Sequence, residues 1–310
     1  MKRNILITGI YGFIGANFAI YWNNHYPDDR IIGIDKMTYA ANPANLDSIA
    51  RHANMICYRG DIADAAFVQS VFEKERPQWV VNFAAESHVD RSINDPELFI
   101  HSNVLGVSVL MDACLRFGVN RFHQVSTDEV YGDLPLESTS AFTEESALHP
   151  SSPYAASKAS ADLLVLSYAR TYGLPVTISR CSNNYGRFQH REKLIPKVID
   201  CAHRGVSIPV YGRGDNQRDW IHVDDHCTAI DYILHKGKEN HIYNVSAHEE
   251  INNLELIRKI LAILGKSDDL ITFVNDRPGH DRRYAMDTSR LEKLGWKAKR
   301  NLDDYLNTLK

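Results

Sequence analysis

Gly9-Ile10-Tyr11-Gly12-Phe13-Ile14-Gly15 stands directly after a short apolar run, Ile5-Leu6-Ile7-Thr8, and opens a segment with helical spacing that reaches about Tyr26. Glycines allow a tight turn and close backbone approach, and the start of a helix offers unpaired N–H groups and a positive dipole end to a pyrophosphate. The spacing is G-x-x-G-x-x-G rather than G-x-G-x-x-G, and alone it marks only a strand-to-helix turn. Asp35 follows Gly15 by twenty residues and closes the next apolar run, Ile31-Ile32-Gly33-Ile34. A carboxylate there is placed to hold a ribose diol. Gly9, Gly12, Gly15 and Asp35 together predict a dinucleotide site. Because a carboxylate repels a 2′-phosphate, NAD is expected rather than NADP, with Lys36 beside it as an opposing charge.

Outward from this stretch the rhythm continues. Apolar runs at 31–34, 55–58, 79–83, 122–125 and 176–179 alternate with helical spacing over 63–75, 96–117 and 154–172. Such alternation implies right-handed crossovers and a parallel sheet covered on both faces, a Rossmann-like doubly wound α/β fold. Ligands in these sheets sit beyond the carboxyl ends of the strands. Near residue 180 the rhythm changes. A polar, aromatic loop over 183–189 precedes strands at 208–210, 242–245 and 271–274 and helices at 194–204, 224–234 and 254–264. Residues 1–180 are expected to form a NAD-binding Rossmann domain. Residues 181–310 are expected to form mainly a smaller α/β substrate-binding domain, with room for later segments to return to the first.

The chain's 310 residues are ample for both units. Hydrophobic residues at 44% and charged residues at 24% exclude a mainly disordered chain. A net charge of -4, from 35 basic and 39 acidic side chains, supplies no general reason to bind nucleic acid or an anionic membrane. No apolar run is expected to approach the roughly 20 residues that a membrane span needs, and residues 1–9 lack a signal-peptide pattern. Five scattered cysteines form no Cys-x-x-Cys, so a reduced, cytoplasmic setting is expected. His222 and His226 share one helical face, but a strand followed by a helix accounts for them, and no metal is expected.

Two stretches carry candidate chemistry. Tyr154-Ala155-Ala156-Ser157-Lys158 sets a phenol and an ammonium four residues apart on one helical face, after Pro153 at a helix start. A lysine about 4 Å from the phenol, at an effective dielectric near 20, is worth at most ~4 kcal/mol, or about three pKa units. That would bring a tyrosine from about 10 toward 7, where it can take a proton from a sugar hydroxyl. Ser126-Thr127-Asp128-Glu129 follows the fifth strand. It matches a helix capping box between Ser126 and Glu129, and it also sets a general acid beside a general base. The two readings are compatible.

These residues resemble those of the extended short-chain dehydrogenase/reductase family, and within it the nucleotide-sugar 4,6-dehydratases, most closely those acting on dTDP-glucose. The resemblance runs through Asp35-Lys36-Met37-Thr38-Tyr39, Ala84-Ala85-Glu86-Ser87-His88, the Thr127-Asp128-Glu129 loop and Tyr154–Lys158. It continues through Cys181-Ser182-Asn183-Asn184-Tyr185-Gly186, Glu192-Lys193-Leu194, Arg218-Asp219-Trp220 and Asp276-Arg277-Pro278-Gly279. The adjacent Asp128-Glu129 is the dehydratase-specific part, since related epimerases lack it.

The resemblance implies conversion of dTDP-glucose to dTDP-4-keto-6-deoxyglucose with a bound NAD. UDP-N-acetylglucosamine is the alternative substrate, and an epimerase or an idle NAD-sensing module are further alternatives. It implies that Tyr154, assisted by Lys158, takes the C4 hydroxyl proton, Glu129 takes the C5 proton, Asp128 protonates the leaving C6 hydroxyl, and Thr127 bonds the sugar. Phe13, Ile14, Lys36, Thr38, Asp61, Ile62, Ala84, Ala85 and Ser102 join the glycines and Asp35 around NAD. Ser87, Asn183, Lys193, Leu194, Arg218, Asn253 and Arg277 are assigned to the nucleotide sugar. By their own chemistry, Arg218 and Arg277 suit either a diphosphate or surface ion pairs. A homodimer through a helix bundle is implied, with Leu163-Leu164-Val165-Leu166 apolar on more than one face. Ile10-Tyr11 and 187–191 depart from the family's usual residues.

Overall fold

The computed structural model describes residues 2–50, 52 and 54–309. Six strands come from the first part of the chain: β1 (Asn4–Thr8), β2 (Arg30–Asp35), β3 (Met55–Arg59), β4 (Trp79–Asn82), β5 (Arg121–Thr127) and β6 (Val176–Cys181). Later come β7 (Asn183–Tyr185), β8 (Ile208–Tyr211), β9 (Gln217–His222), β10 (His241–Val245), β11 (Glu250–Asn252) and β12 (Ile271–Val274). The large sheet has the order β10-β6-β5-β4-β1-β2-β3 and every neighbouring pair is parallel. The strand order reverses between β1 and β4, which opens a crevice beyond their carboxyl ends. This is the doubly wound sheet expected from the alternation.

Alternating side chains build two cores. Ile5 and Ile7 point to one face with Ile31, Val81 and Val125, under α1 (Phe13–His25). Leu6 points to the other with Ile32, Val80, Phe122 and Ile178. Successive strand side chains alternate faces, so a strand buried on both sides needs an unbroken apolar run. Covering the Leu6 face are α2 (Ala65–Glu75), α5 (Gly106–Phe117) and α6 (Pro153–Tyr172). Between α2 and α5 lie two short helices, α3 (Val89–Asn94) and α4 (Pro96–Phe99), and a π-type turn, Ile100–Leu105. Together Pro96–Phe117 is, by length and average composition, long and apolar enough to cross a membrane, which corrects the expectation that no apolar stretch approaches that length. Phe99, Val107, Leu110 and Met111 on it are buried in the core.

The C-terminal portion adds α7 (Leu194–Arg204), α8 (Val223–Lys236) and α9 (Asn253–Ile263). α7 and α9 pack with β8, Tyr185 and Trp220 around a third core. β11, β9 and β7 form a three-stranded sheet, and β12 pairs with β8. α8 and β10 instead return to the large sheet: Cys227, Ile230 and Leu234 of α8 join the core beneath α1, and β10 lies beside β6.

Candidate active site

The glycine turn is close-packed against the end of β4. Gly9 has φ +63°, and a Cβ there would meet the Ala84 backbone at 2.9 Å. A Cβ on Gly15 would stand 2.2 Å from the Gly9 carbonyl oxygen. The turn therefore brings bare backbone and the first N–H groups of α1 to the mouth of the crevice. Asp35 closes β2 and accepts backbone N–H bonds from Tyr11 (2.9 Å) and Met37 (2.8 Å). Burial raises its carboxyl pKa, and those two bonds act the other way. Lys36 is bound to Asp61 at 2.7 Å, and His101 lies 3.2 Å from the same oxygen.

Two adjoining clefts share Gly9, Gly12, Ala40, Phe83 and Ala85. The smaller, about 90 Å³, is lined by Asp35, Lys36, Thr38, Asp61, Ile62, Ala84 and Ser102. The larger, about 280 Å³, is lined by Phe13, Ile14, Gly15, Ser87, Thr127, Asp128, Glu129, Tyr154, Lys158, Asn183, Lys193 and Leu194. Every residue assigned to NAD from the sequence thus faces one cleft or the other. Arg218, Asn253 and Arg277 line neither. Arg218 gives its N–H groups to the Gln217 and Asp281 carbonyls and lies over Tyr284, Arg277 pairs with Asp90 at 3.2 Å, and Asn253 begins α9.

Thr127 ends β5, and its hydroxyl accepts from the Glu129 N–H at 3.3 Å, capping the 3₁₀ turn Asp128–Tyr131. The capping box between Ser126 and Glu129 is corrected by one position: β5 runs on through Ser126, whose buried hydroxyl has no partner. Asp128 is buried, takes a bond from the Thr127 hydroxyl at 3.1 Å, and leaves Oδ2 unpartnered. Burial pushes its carboxyl well above the ordinary range, and Glu129 and Asp219 push the same way. Glu129, half-buried at the cleft, is also raised by burial, but Arg277, Lys193 and Arg218 hold it down. Both adjacent carboxyls are thus raised, with Asp128 well above its ordinary range and Glu129 partly held back by the three cations.

Tyr154 and Lys158 sit on the first turns of α6, whose start is capped by the Ser152 side chain. Ser157 donates to the Tyr154 carbonyl at 2.7 Å and receives Asn103 Nδ2 at 2.8 Å. Asn103 also grips the Glu86 backbone at both N–H and C=O, which ties α6 to the segment after β4. The expected lowering of the phenol by Lys158 is corrected. Burial, then Glu129, Cys181 and Asp128, hold Tyr154 well above its ordinary value, and the Thr127 hydroxyl works the other way. The ammonium is turned to the Val125 carbonyl at 2.7 Å.

The cleft also takes in Tyr39, His88, Cys181, Ser182, Gln189, His190, Glu192 and Trp220. Cys181 ends β6, level with Thr127, so the rule of carboxyl strand ends was signal enough to find it. Gln189, His190 and Glu192 come from the loop before α7, whose course no local pattern foretells. His222 bonds the Asp224 N–H and His226 bonds Asn184, so those two rings are engaged apart from one another.

A parallel sheet with a glycine turn at its switch point, a buried Tyr-x-x-x-Lys and a second, smaller lobe define an extended short-chain dehydrogenase/reductase. The chain matches the GDP-mannose 4,6 dehydratase family over residues 6–309 and belongs to it. It is 46% identical to a low-salt glycan biosynthesis protein of Haloferax volcanii, over 98% of this chain and 96% of that one. It is 44% identical to the dTDP-glucose 4,6-dehydratase of Haemophilus influenzae, over 94% of this chain and 92% of that one. Among solved structures, the dTDP-glucose 4,6-dehydratase DesIV of Streptomyces venezuelae, with NAD and TYD bound, superposes with a TM-score of 0.94 at 42% identity, covering 99% and 95% of the two chains. A UDP-glucose 4-epimerase of Thermotoga maritima shares the fold (TM-score 0.90, covering 98% and 96%) at 26% identity.

Proposed function

We propose that the protein is an NAD-dependent nucleotide-sugar 4,6-dehydratase that converts dTDP-glucose to dTDP-4-keto-6-deoxyglucose and water. The observation that carries this reading is the Asp128–Glu129 pair at the carboxyl end of β5, facing the same cleft as Tyr154. Relatives named dTDP-glucose 4,6-dehydratase at 42% to 46% identity, and DesIV with NAD and TYD, support the cofactor and the substrate. The residues fit NAD: the cradle formed by Gly9 and Gly15 has no room for a Cβ, and Asp35 stands beyond it at the end of β2. Gly12, Phe13, Ile14, Ala84 and Ala85 would hold the pyrophosphate and nicotinamide side. Lys36, Thr38, Asp61, Ile62 and Ser102 would border the adenosine.

When bound, NAD would supply the acceptor for the C4 hydride and the donor that delivers it to C6. Tyr154 takes the C4 hydroxyl proton, with the Lys158 charge behind it, and Thr127 hydrogen-bonds the sugar beside C4. Glu129 removes the proton from C5, which the 4-keto group has acidified. Asp128, its carboxyl raised by burial, gives its proton to the C6 hydroxyl, which leaves as water, and Glu129 hands its proton back to C5 as the hydride arrives at C6. Ser87, Asn183, Lys193 and Leu194 would flank the sugar diphosphate. Arg218 and Arg277 act on Glu129 through charge in the free protein and would turn to the diphosphate on binding, with Asn253 nearby.

On this reading residues 1–180, with α8 and β10, serve the cofactor, and the rest of 181–310 serves the sugar nucleotide. Exposed Ile100, Leu105 and Leu163 lie on the packed α4–α6 layer and suit a helix-bundle homodimer. Leu163→Glu is expected to halve the mass seen by light scattering. A cytoplasmic site of action fits the cofactor.

The test is incubation of the purified holoprotein with dTDP-glucose and, in parallel, UDP-N-acetylglucosamine. Loss of one water from dTDP-glucose by mass spectrometry is expected. No loss from either sugar would overturn the reading, and loss from UDP-N-acetylglucosamine alone would reassign the substrate.

A further inference from the structure

Behind Lys158 lies an ion pair that the reaction above does not use. Asp162 follows Lys158 by four residues on α6, so the two side chains share one helical face. Asp162 is fully buried and Lys158 nearly so. Asp162 Oδ2 accepts from Arg180 Nε at 2.9 Å, and Oδ1 has no hydrogen-bond partner. Arg180, itself 2% exposed on β6, lies with its guanidinium 4.7 Å from the centre of the Tyr131 ring. Arg180 is thus gripped by a carboxylate and an aromatic face, and Asp162 is anchored through it. The Lys158 ammonium has one hydrogen-bond acceptor, Val125.

We infer that Asp162, anchored by Arg180, is a positioning residue for Lys158, supplying from the same helical face the buried counter-charge that keeps the ammonium charged one turn past Tyr154. The inference rests on the reading of Tyr154 and Lys158 as the C4 oxidation pair. Two buried cations and one buried anion leave this cluster with an uncompensated positive charge, the complement of a forming phenolate. Removing Asp162 leaves two cations and no anion in a region of low polarity, which favours loss of the lysine proton. Burial pushes Lys158 down, and Asp162 is the first charge pushing it up, followed by Cys181 on β6. Asp128 and Glu129 after β5, with Cys181 on β6, line the same cleft as Lys158.

The test titrates Lys158 directly in the NAD-loaded protein carrying isotope-labelled lysine, using the NMR resonance missing from Lys158→Gln. Asp162→Asn is expected to move that titration down by about one pH unit or more. Asp162→Glu is expected to restore it in part. The double variant Asp162→Asn/Arg180→Met removes the pair without stranding a guanidinium and is expected to move the titration down by less than Asp162→Asn alone, because a cation leaves with the nearer anion. With dTDP-glucose, the acid limb of the pH profile for bound-NADH formation is expected to move up in step, with kcat falling and KM unchanged. An unmoved lysine titration in the folded variants overturns the inference, even where activity falls. A moved titration in a protein that never oxidises the sugar leaves the inference standing and removes the dehydratase reading instead.

Discussion

Lys158 Nζ donates to the carbonyl oxygen of Val125 at 2.7 Å, so the lysine one helical turn past Tyr154 is fastened to β5 and not to the phenol. Its influence on the reaction therefore works at a distance, through charge and through whatever it holds in the cleft. Lys158→Gln keeps a donor for Val125 and removes the charge. The expected outcome is a folded protein whose C4 oxidation slows about a hundredfold or more. Rapid-mixing absorbance of bound NADH measures it, and an unchanged rate would remove the lysine from the chemistry.

Glu129→Gln separates the two halves of the reaction. The amide cannot take the C5 proton, while Tyr154 and the glycine cradle are untouched. On adding dTDP-glucose, bound NADH is expected to build up and persist, with water loss slowed by about two to four orders of magnitude. Normal turnover in this variant would withdraw the base role from Glu129.

Asp128→Asn links chemistry to stability. Burial raises the Asp128 carboxyl, so the folded protein holds that proton more tightly than the unfolded chain does. Its contribution to stability is full in acid and is withdrawn as pH climbs from near 3.8 through the higher folded value. Each unit of upward shift corresponds to about 1.4 kcal/mol. The asparagine variant is expected to denature at higher urea than the parent at pH 8, with the difference shrinking toward pH 4, and to lose the elimination step. A difference that grows toward acid would contradict the assignment.

Gly15→Ala tests the cradle. The added methyl would stand 2.2 Å from a carbonyl oxygen of the same turn, so backbone must move. About 1–3 kcal/mol of stability is expected to be lost. NAD retention through gel filtration is expected to fall more steeply than the unfolding midpoint, because the displaced N–H groups are those proposed to meet the pyrophosphate.

Much of this architecture was legible in the chain because it rests on local rules. The unbroken apolar run of β1 and the spacing from Gly15 to Asp35 both depend on neighbours within a few dozen residues. So does the helical spacing that carries Tyr154, Ser157 and Lys158. What escaped depends on distant partners. Lys158 turns toward Val125 because a buried ammonium takes the nearest free carbonyl, which no i,i+4 rule supplies. Ser126 stays in the strand because β6 pairs beside it, moving the cap to Thr127. Arg218 and Arg277 find carbonyl and carboxylate partners outside the cleft, on segments whose approach the local sequence does not encode.

The position of β10 bears on how the molecule is made. The open side of β6 is closed by a strand that leaves the ribosome only after β7, β8, β9 and α8 have been synthesised. During that interval the nascent chain carries a nearly finished nucleotide lobe with one raw flank of unpaired amides, the kind of surface that recruits another strand. Completion of the lobe is thus a late event in translation. A truncated product ending before His241 is expected to aggregate even though all the residues of the glycine turn and the Tyr154 helix are present.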